Sequence, residues 1–146
     1  MKTRILIVDD EPGIRQSLGG ILEDEGFQVE AVENGEACLD LLGHSIFELV
    51  ILDIWLPGID GLETLNRIQR IPQADRPVVV VISGHGTIET AVKATKLGAY
   101  DFLEKPLSID RVLLVARHAL DHRRLRLAKQ ARVPAPHENP YPDCRR

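Results

Sequence analysis

Leu49-Val50-Ile51-Leu52-Asp53-Ile54-Trp55-Leu56-Pro57-Gly58 decides the fold: an unbroken apolar run ends in an aspartate and passes at once into a proline–glycine turn. Consecutive aliphatic residues with no polar alternation predict a strand buried on both faces, as in a parallel sheet covered by helices on each side. Two other runs read the same way. Ile5-Leu6-Ile7-Val8 leads into Asp9-Asp10-Glu11, and Val78-Val79-Val80-Val81-Ile82 leads into Ser83-Gly84. Residues 27–32 and 99–103 also read as strands, but Gln28-Val29-Glu30-Ala31-Val32 and Tyr100-Asp101-Phe102-Leu103-Glu104 alternate polar with apolar side chains. That alternation predicts sheet edges.

Between the runs lie amphipathic stretches. Ile14, Leu18, Ile21 and Leu22 share one helical face, with Pro12 suited to its first turn and Gly26 to its end. Residues 34–43 and 62–71 predict a second and a third helix. Residues 87–97 predict a fourth, with Ile88, Ala91, Val92 and Thr95 facing in. Ser108 and Asp110 open a fifth, which buries Val112, Leu113, Val115, Ala116, Ala119 and Leu120 and needs to reach only about residue 122 to cover the sheet. Strand–helix alternation with strands one, three and four interior gives an α/β fold. It is a flavodoxin-like (βα)5 doubly wound parallel sheet of order 2-1-3-4-5.

Bulk composition narrows the classes. The chain has 146 residues, 44% hydrophobic but only 4% aromatic, so its core rests on aliphatic side chains. A net charge of −4 gives no global case for a nucleic-acid or membrane partner. Cys38 and Cys144 are too few for a disulfide framework, which favours a reducing, cytoplasmic setting. Asp9-Asp10-Glu11 interrupts the first apolar run too early for an export signal, and no stretch is long enough to span a membrane.

In a sheet of this order, ligands sit beyond the carboxyl ends of the strands at the switch point, here between strands one and three. Those ends carry Asp9, Asp10 and Asp53. Three carboxylates in one place repel each other, so without a cation at least one should have a raised pKa. Magnesium, with manganese as the alternative, resolves the conflict through hard oxygen ligands. Asp10 and Asp53 are the expected direct carboxylate ligands, and Asp9 acts through water. Ser83 at the end of strand four and Lys105 at the end of strand five reach the same rim, one as a hydroxyl donor and one as a compact cation. A nucleophilic aspartate, a metal and two donors to phosphate oxygens describe phosphoryl transfer, with Asp53 as the acceptor. Alone, each piece reads as a helix cap, a loop aspartate or a strand end. The conjunction carries the inference.

These segments resemble the response-regulator receiver domains of two-component systems. The resemblance rests on residues 5–11, 52–61, 81–86 and 99–106, and covers residues 3 to about 122. The wording Ser83-Gly84-His85-Gly86-Thr87-Ile88-Glu89-Thr90-Ala91 and Gly98-Ala99-Tyr100-Asp101-Phe102 is similar to the NtrC/NtrX branch. The resemblance implies a domain phosphorylated on Asp53 by a sensor histidine kinase or histidine phosphotransfer protein. It also implies a metal site completed by the backbone carbonyl of Trp55, and a switch pair, Ser83 and Phe102. That pair would signal through the fourth helix, fifth strand and fifth helix, a surface that could also form a homodimer. A cis Lys105–Pro106 bond is expected as well. Beyond its own phosphotransfer and dephosphorylation, no enzymatic activity is expected. Trp55 and His85 flank the pocket, and Trp55 is expected either to screen the phosphoryl group from water or simply to pack on the rim.

Residues 1–122 therefore read as the receiver. Residues 123–146 read as a helical extension followed by a disordered, proline-rich tail, either a linker cut short or the end of a stand-alone chain. Arg123-Arg124-Leu125-Arg126 gives no case for direct nucleic-acid binding, since no reading motif follows. A phosphorylation-independent interaction module is the competing reading, and the intact acidic pocket argues against it. A dehalogenase-type phosphatase would place a second aspartate where Trp55 stands. A flavin-binding protein would need an uncharged phosphate loop where Asp9-Asp10-Glu11 stands.

Overall fold

A computed structural model describes residues 2–131. Strands β1 (Arg4–Val8), β2 (Gln28–Val32), β3 (Leu49–Asp53), β4 (Val78–Ser83) and β5 (Asp101–Glu104) alternate with helices α1 (Pro12–Asp24), α2 (Gly35–Leu42), α3 (Gly61–Ile68), α4 (Ile88–Lys96) and α5 (Ile109–Ala131). All strand pairs are parallel and the order is β2-β1-β3-β4-β5, as the alternation pattern requires. The proline-rich stretch and Cys144 lie outside the described residues.

The continuous apolar runs supply two cores at once, because successive strand residues point to opposite faces. Ile5, Ile7, Leu49, Ile51, Val80 and Ile82 pack against Leu18 and Leu22 of α1 and Val112, Val115, Ala116 and Ala119 of α5. Leu6, Val8, Val50, Leu52, Val79 and Val81 pack on the other side against Cys38, Leu65, Ile68 and Ala94. Burial pushes the Cys38 thiol up to about 12, so it is an inert packing residue.

Helix starts are set by short polar side chains. Asn34 accepts from the Ala37 N–H at 2.8 Å, Asp60 from Glu63 at 2.8 Å and Thr87 from Thr90 at 3.1 Å. Asn34 and Thr87, expected inside helices, are thus caps. The third helix begins at Gly61 and stops at Ile68, three residues short of its expected end at Ile71.

α4 overturns an expectation. Ile88 and Val92 were expected to face in, yet they are 85% and 46% exposed, and Thr95 is exposed too. The buried contact is Ala94, with Leu97 packed beside it. An apolar stripe at helical spacing identifies a face but not which neighbour covers it. On this short helix the small Ala94 seats against the sheet and the larger residues point outward.

α5 continues to Ala131, into the stretch expected as a helical extension. Arg123 is only 7% exposed; its Nε donates to the Arg76 carbonyl at 2.9 Å and Nη2 to that of Ala74 at 3.4 Å. Arg126 reaches the Arg76 carbonyl at 3.4 Å. The arginine stems lie along the domain and pin the connection between α3 and β4.

Candidate functional site

Four strand ends, those of β1, β3, β4 and β5, build the site. Beyond β1, the Asp9 N–H continues the ladder to the Val32 carbonyl at 3.1 Å. Its carboxylate is fully buried, and Oδ1 accepts from the Glu11 N–H at 2.9 Å. The Asp9 carbonyl accepts from Arg15 Nη1 at 2.8 Å, which fixes the turn into α1. Asp10 is exposed. Asp53, at the end of β3, is 3% exposed, and its Oδ1 accepts from the Trp55 N–H at 3.1 Å. One oxygen each from Asp9, Asp10 and Asp53 lie within 4.8 Å of one another.

Lys105 enters from the end of β5. Its N–H donates to the Ser83 carbonyl at 2.9 Å, and the following bond to Pro106 is cis. The ammonium lies 2.7 Å from Glu11 Oε1, 2.9 Å from Asp9 Oδ2 and 3.2 Å from Asp53 Oδ2. The contact to Asp9 is an ion pair without hydrogen-bond alignment, so Asp9 Oδ2 is a buried oxygen with a cation beside it and no donor directed at it.

One ammonium shared among these carboxylates cannot neutralise them all. Burial raises the pKa of Asp53 and the charge of Asp9 adds to the rise, against the Trp55 N–H and Lys105. Burial alone would lower Lys105. The close carboxylates of Glu11 and Asp9 and the charge of Asp53 outweigh it, and its pKa rises. Glu11 is held below its ordinary value by its hydrogen bond to Lys105 and by that residue's charge. Excess negative charge, an all-oxygen donor set, an unmatched buried oxygen and a solvent-facing Asp10 fit a hard divalent cation.

Ser83 is fully buried. Its Oγ accepts from the His85 N–H at 3.0 Å, which leaves the hydroxyl proton free to donate. Phe102 packs against the core, and a Cβ at Gly86 would stand 2.3 Å from its Cζ. Trp55 is 54% exposed on the rim. The turn after it is held by Glu36, which accepts from the Ile59 N–H at 3.3 Å. The start of α3 presses on the backbone of Asp53 itself. Gly61 donates to the Ile54 carbonyl at 2.8 Å, and a Cβ there would stand 2.3 Å from the Asp53 carbonyl oxygen.

The structure thus brings Asp9, Asp10, Asp53 and Lys105 together at one rim; Ser83 joins them through its carbonyl on the Lys105 N–H, and Phe102 stands apart against Gly86. Sequence reasoning missed Glu11 as a partner of Lys105, Arg15 as a brace on Asp9, and Gly61 and Gly86 as points of close approach. Glu11 and both glycines stand inside the quoted motifs, but their contacts are tertiary and leave no local signal.

A parallel sheet of this order, with three aspartates and a lysine at its strand ends, defines the receiver class of signalling domain. The chain belongs to the response regulator receiver domain family, whose model matches residues 5–117. It is 48% identical over 124 residues to the nitrogen assimilation regulatory protein NtrX of Azorhizobium caulinodans, covering 84% of this chain and 27% of that protein. The crystal structure of NtrX from Brucella abortus superposes with a TM-score of 0.81 at 44% identity, over 90% of this chain and 29% of that one. The beryllofluoride-activated NtrC4 receiver domain dimer matches with a TM-score of 0.76 at 41% identity, over 82% of this chain and 98% of that one. The chain thus spans about a quarter of the length of the curated NtrX relative. Among the described residues, no helix is long and apolar enough to cross a membrane.

Proposed function

We propose that this chain accepts a phosphoryl group on Asp53 from a sensor histidine kinase or histidine phosphotransfer protein. An Asp53 carboxylate oxygen attacks phosphorus, the nitrogen–phosphorus bond of the donor breaks, and the imidazole leaves with the bonding pair. The observation that carries this reading is the placing of Asp53 Oδ2 3.2 Å from Lys105 Nζ, within a cluster of three carboxylates.

Asp10, Asp53 and the backbone carbonyl of Trp55 would hold Mg2+ or Mn2+, with Asp9 in support through water. Such an ion supplies charge neutralisation of the phosphoryl oxygens. Lys105 and the Ser83 hydroxyl bind those oxygens. Ser83 moves toward the new phosphoryl group, and Phe102 follows into the space it leaves. The signal then lies on the α4–β5–α5 surface, which passes it to a second copy or to an output domain of a transcription regulator in the cytoplasm. Residues 1–122 form the receiver in this reading. Residues 123–146 form the extension, with no nucleic-acid contact of their own.

Incubation with acetyl phosphate, with and without Mg2+, tests the proposal. A phosphoryl mass increment should appear with the ion and vanish in Asp53→Asn. No increment on the unsubstituted protein would favour a phosphorylation-independent module.

A further inference from the structure

Lys105 has three N–H donors and faces three carboxylates. Their distances order the contacts: Glu11 at 2.7 Å, Asp9 at 2.9 Å and Asp53 at 3.2 Å. Their freedom runs differently. The side chains of Asp9 and Asp53 are 0% and 4% exposed, whereas that of Glu11 is 60% exposed. Asp9 is further fixed through Oδ1 by the Glu11 N–H at 2.9 Å. The Glu11 carboxylate has no hydrogen bond other than the one to Lys105 among the described residues, though His85 lies near enough to act on its charge.

Two of the three N–H donors are spent on Glu11 and Asp53, and the charge is shared with Asp9 beside them. Turning the ammonium toward an incoming phosphoryl oxygen weakens these contacts, and the exposed one is the easiest to give up to water. We propose that Glu11 is a positioning residue that competes with an incoming phosphoryl group for the Lys105 ammonium, and so sets the balance of the pocket between cation and anion. This rests on the reading of Asp53 as phosphoacceptor, and goes beyond it by giving the lysine a competitor ninety-four residues away in the chain.

The two halves of that balance move in opposite directions when the charge is removed. Glu11→Gln keeps the size of the side chain and takes away its charge. Lys105 then has one counter-charge fewer and repels a divalent cation more strongly. The same lysine is freed to bind an anionic phosphoryl mimic. A role in packing alone would move both affinities in the same sense, or neither.

The chain's single tryptophan, Trp55, reports on both events, since its N–H is bonded to Asp53 Oδ1. Its fluorescence should be titrated with Mg2+, and then with beryllofluoride at saturating Mg2+. In Glu11→Gln, Mg2+ binding should weaken and beryllofluoride binding tighten, each by about two- to fivefold, the range open to an exposed ion pair. Both shifts should shrink in roughly 0.5 M salt as screening sets in. Glu23→Gln, an exposed carboxylate near the end of α1, should change neither affinity. Unchanged affinities in Glu11→Gln, shifts of the same sign, or equal shifts in Glu23→Gln would overturn the role of Glu11. If the unsubstituted protein fails to bind beryllofluoride in Mg2+, the phosphoacceptor reading itself falls, and that result is distinct from the others.

Discussion

Gly86 touches the ring of Phe102 so closely that a Cβ on the glycine would stand 2.3 Å from Cζ and 2.8 Å from Cε1. The loop after β4 is therefore held between Ser83 and Phe102. The His85 N–H is bonded to Ser83 Oγ at 3.0 Å, and the next residue lies on the Phe102 ring. Gly86→Ala should displace the ring from this seat and cost about 1–3 kcal/mol, the usual penalty for overpacking. Chemical denaturation of Gly86→Ala, Phe102→Leu and the double variant checks it. The double variant should be more stable than the sum of the single losses predicts, by at least ~0.5 kcal/mol.

Asp53 gives metal-free stability a definite pH dependence. Its pKa in the folded protein lies above the ordinary 3.8. The folded state then binds the extra proton between those two values, so Asp53 makes stability fall as pH rises through that interval and stay lower above it. Glu11, whose pKa is lowered, acts the other way: its contribution is present above its unfolded pKa and lost as pH falls through the folded one. Asp53→Asn isolates the first effect. It should be more stable than the unsubstituted protein at neutral pH without divalent ions, and added Mg2+ should narrow the difference. Urea midpoints across a pH series, with and without Mg2+, decide this; a less stable Asp53→Asn at neutral pH would refute it.

Most of the fold was legible because its signals are local. Unbroken apolar runs at 5–8, 49–52 and 78–82 separate interior strands from alternating edges, and strand order then places Asp9, Asp10 and Asp53 at one switch point. What was not legible depends on distant neighbours. The outward turn of Ile88 and Val92 follows from Ala94 seating against the sheet, which the stripe spacing does not encode. Glu11 meets Lys105, and Arg123 meets Ala74 and Arg76, across long chain separations. In a sequence, such charged residues read as solvated.

Arg123 gives that last point a measurable form. Its guanidinium is largely buried and donates to two backbone carbonyls of the α3–β4 connection. Arg123→Met keeps much of the stem and removes the donors, leaving the Ala74 carbonyl to find water and the Arg76 carbonyl with Arg126 alone. A loss of about 1.5–3 kcal/mol is expected, the range for hydrogen bonds from a charged group. Arg124→Met, on the exposed neighbour, should stay within about 0.5 kcal/mol. Equal effects at both positions would mean that the buried contacts contribute nothing.

Trp55 separates backbone from side chain at the phosphoryl site. Its N–H holds Asp53 Oδ1, while its ring is half exposed at the rim. Trp55→Ala retains the first and deletes the second, so Mg2+ binding should persist while the acyl phosphate becomes more open to water. The decay of the phosphorylated mass should be faster than in the unsubstituted protein. An unchanged lifetime would assign the ring to rim packing alone.

The exposed face of α4 bears on how the domain signals. Ile88, Val92 and Thr95 project outward beside β5, and a homodimer through α4, β5 and α5 would bury them. Because the same patch meets itself across a two-fold axis, one substitution places two like charges in the interface. Val92→Glu should leave monomer stability within about 0.5 kcal/mol, since the side chain is already in solvent. It should also reduce the dimer that forms when beryllofluoride and Mg2+ are added. Sedimentation across a concentration series separates the cases. Loss of the dimer with unchanged beryllofluoride binding places the signal on this face, whereas an undiminished dimer would move the interface elsewhere on the domain.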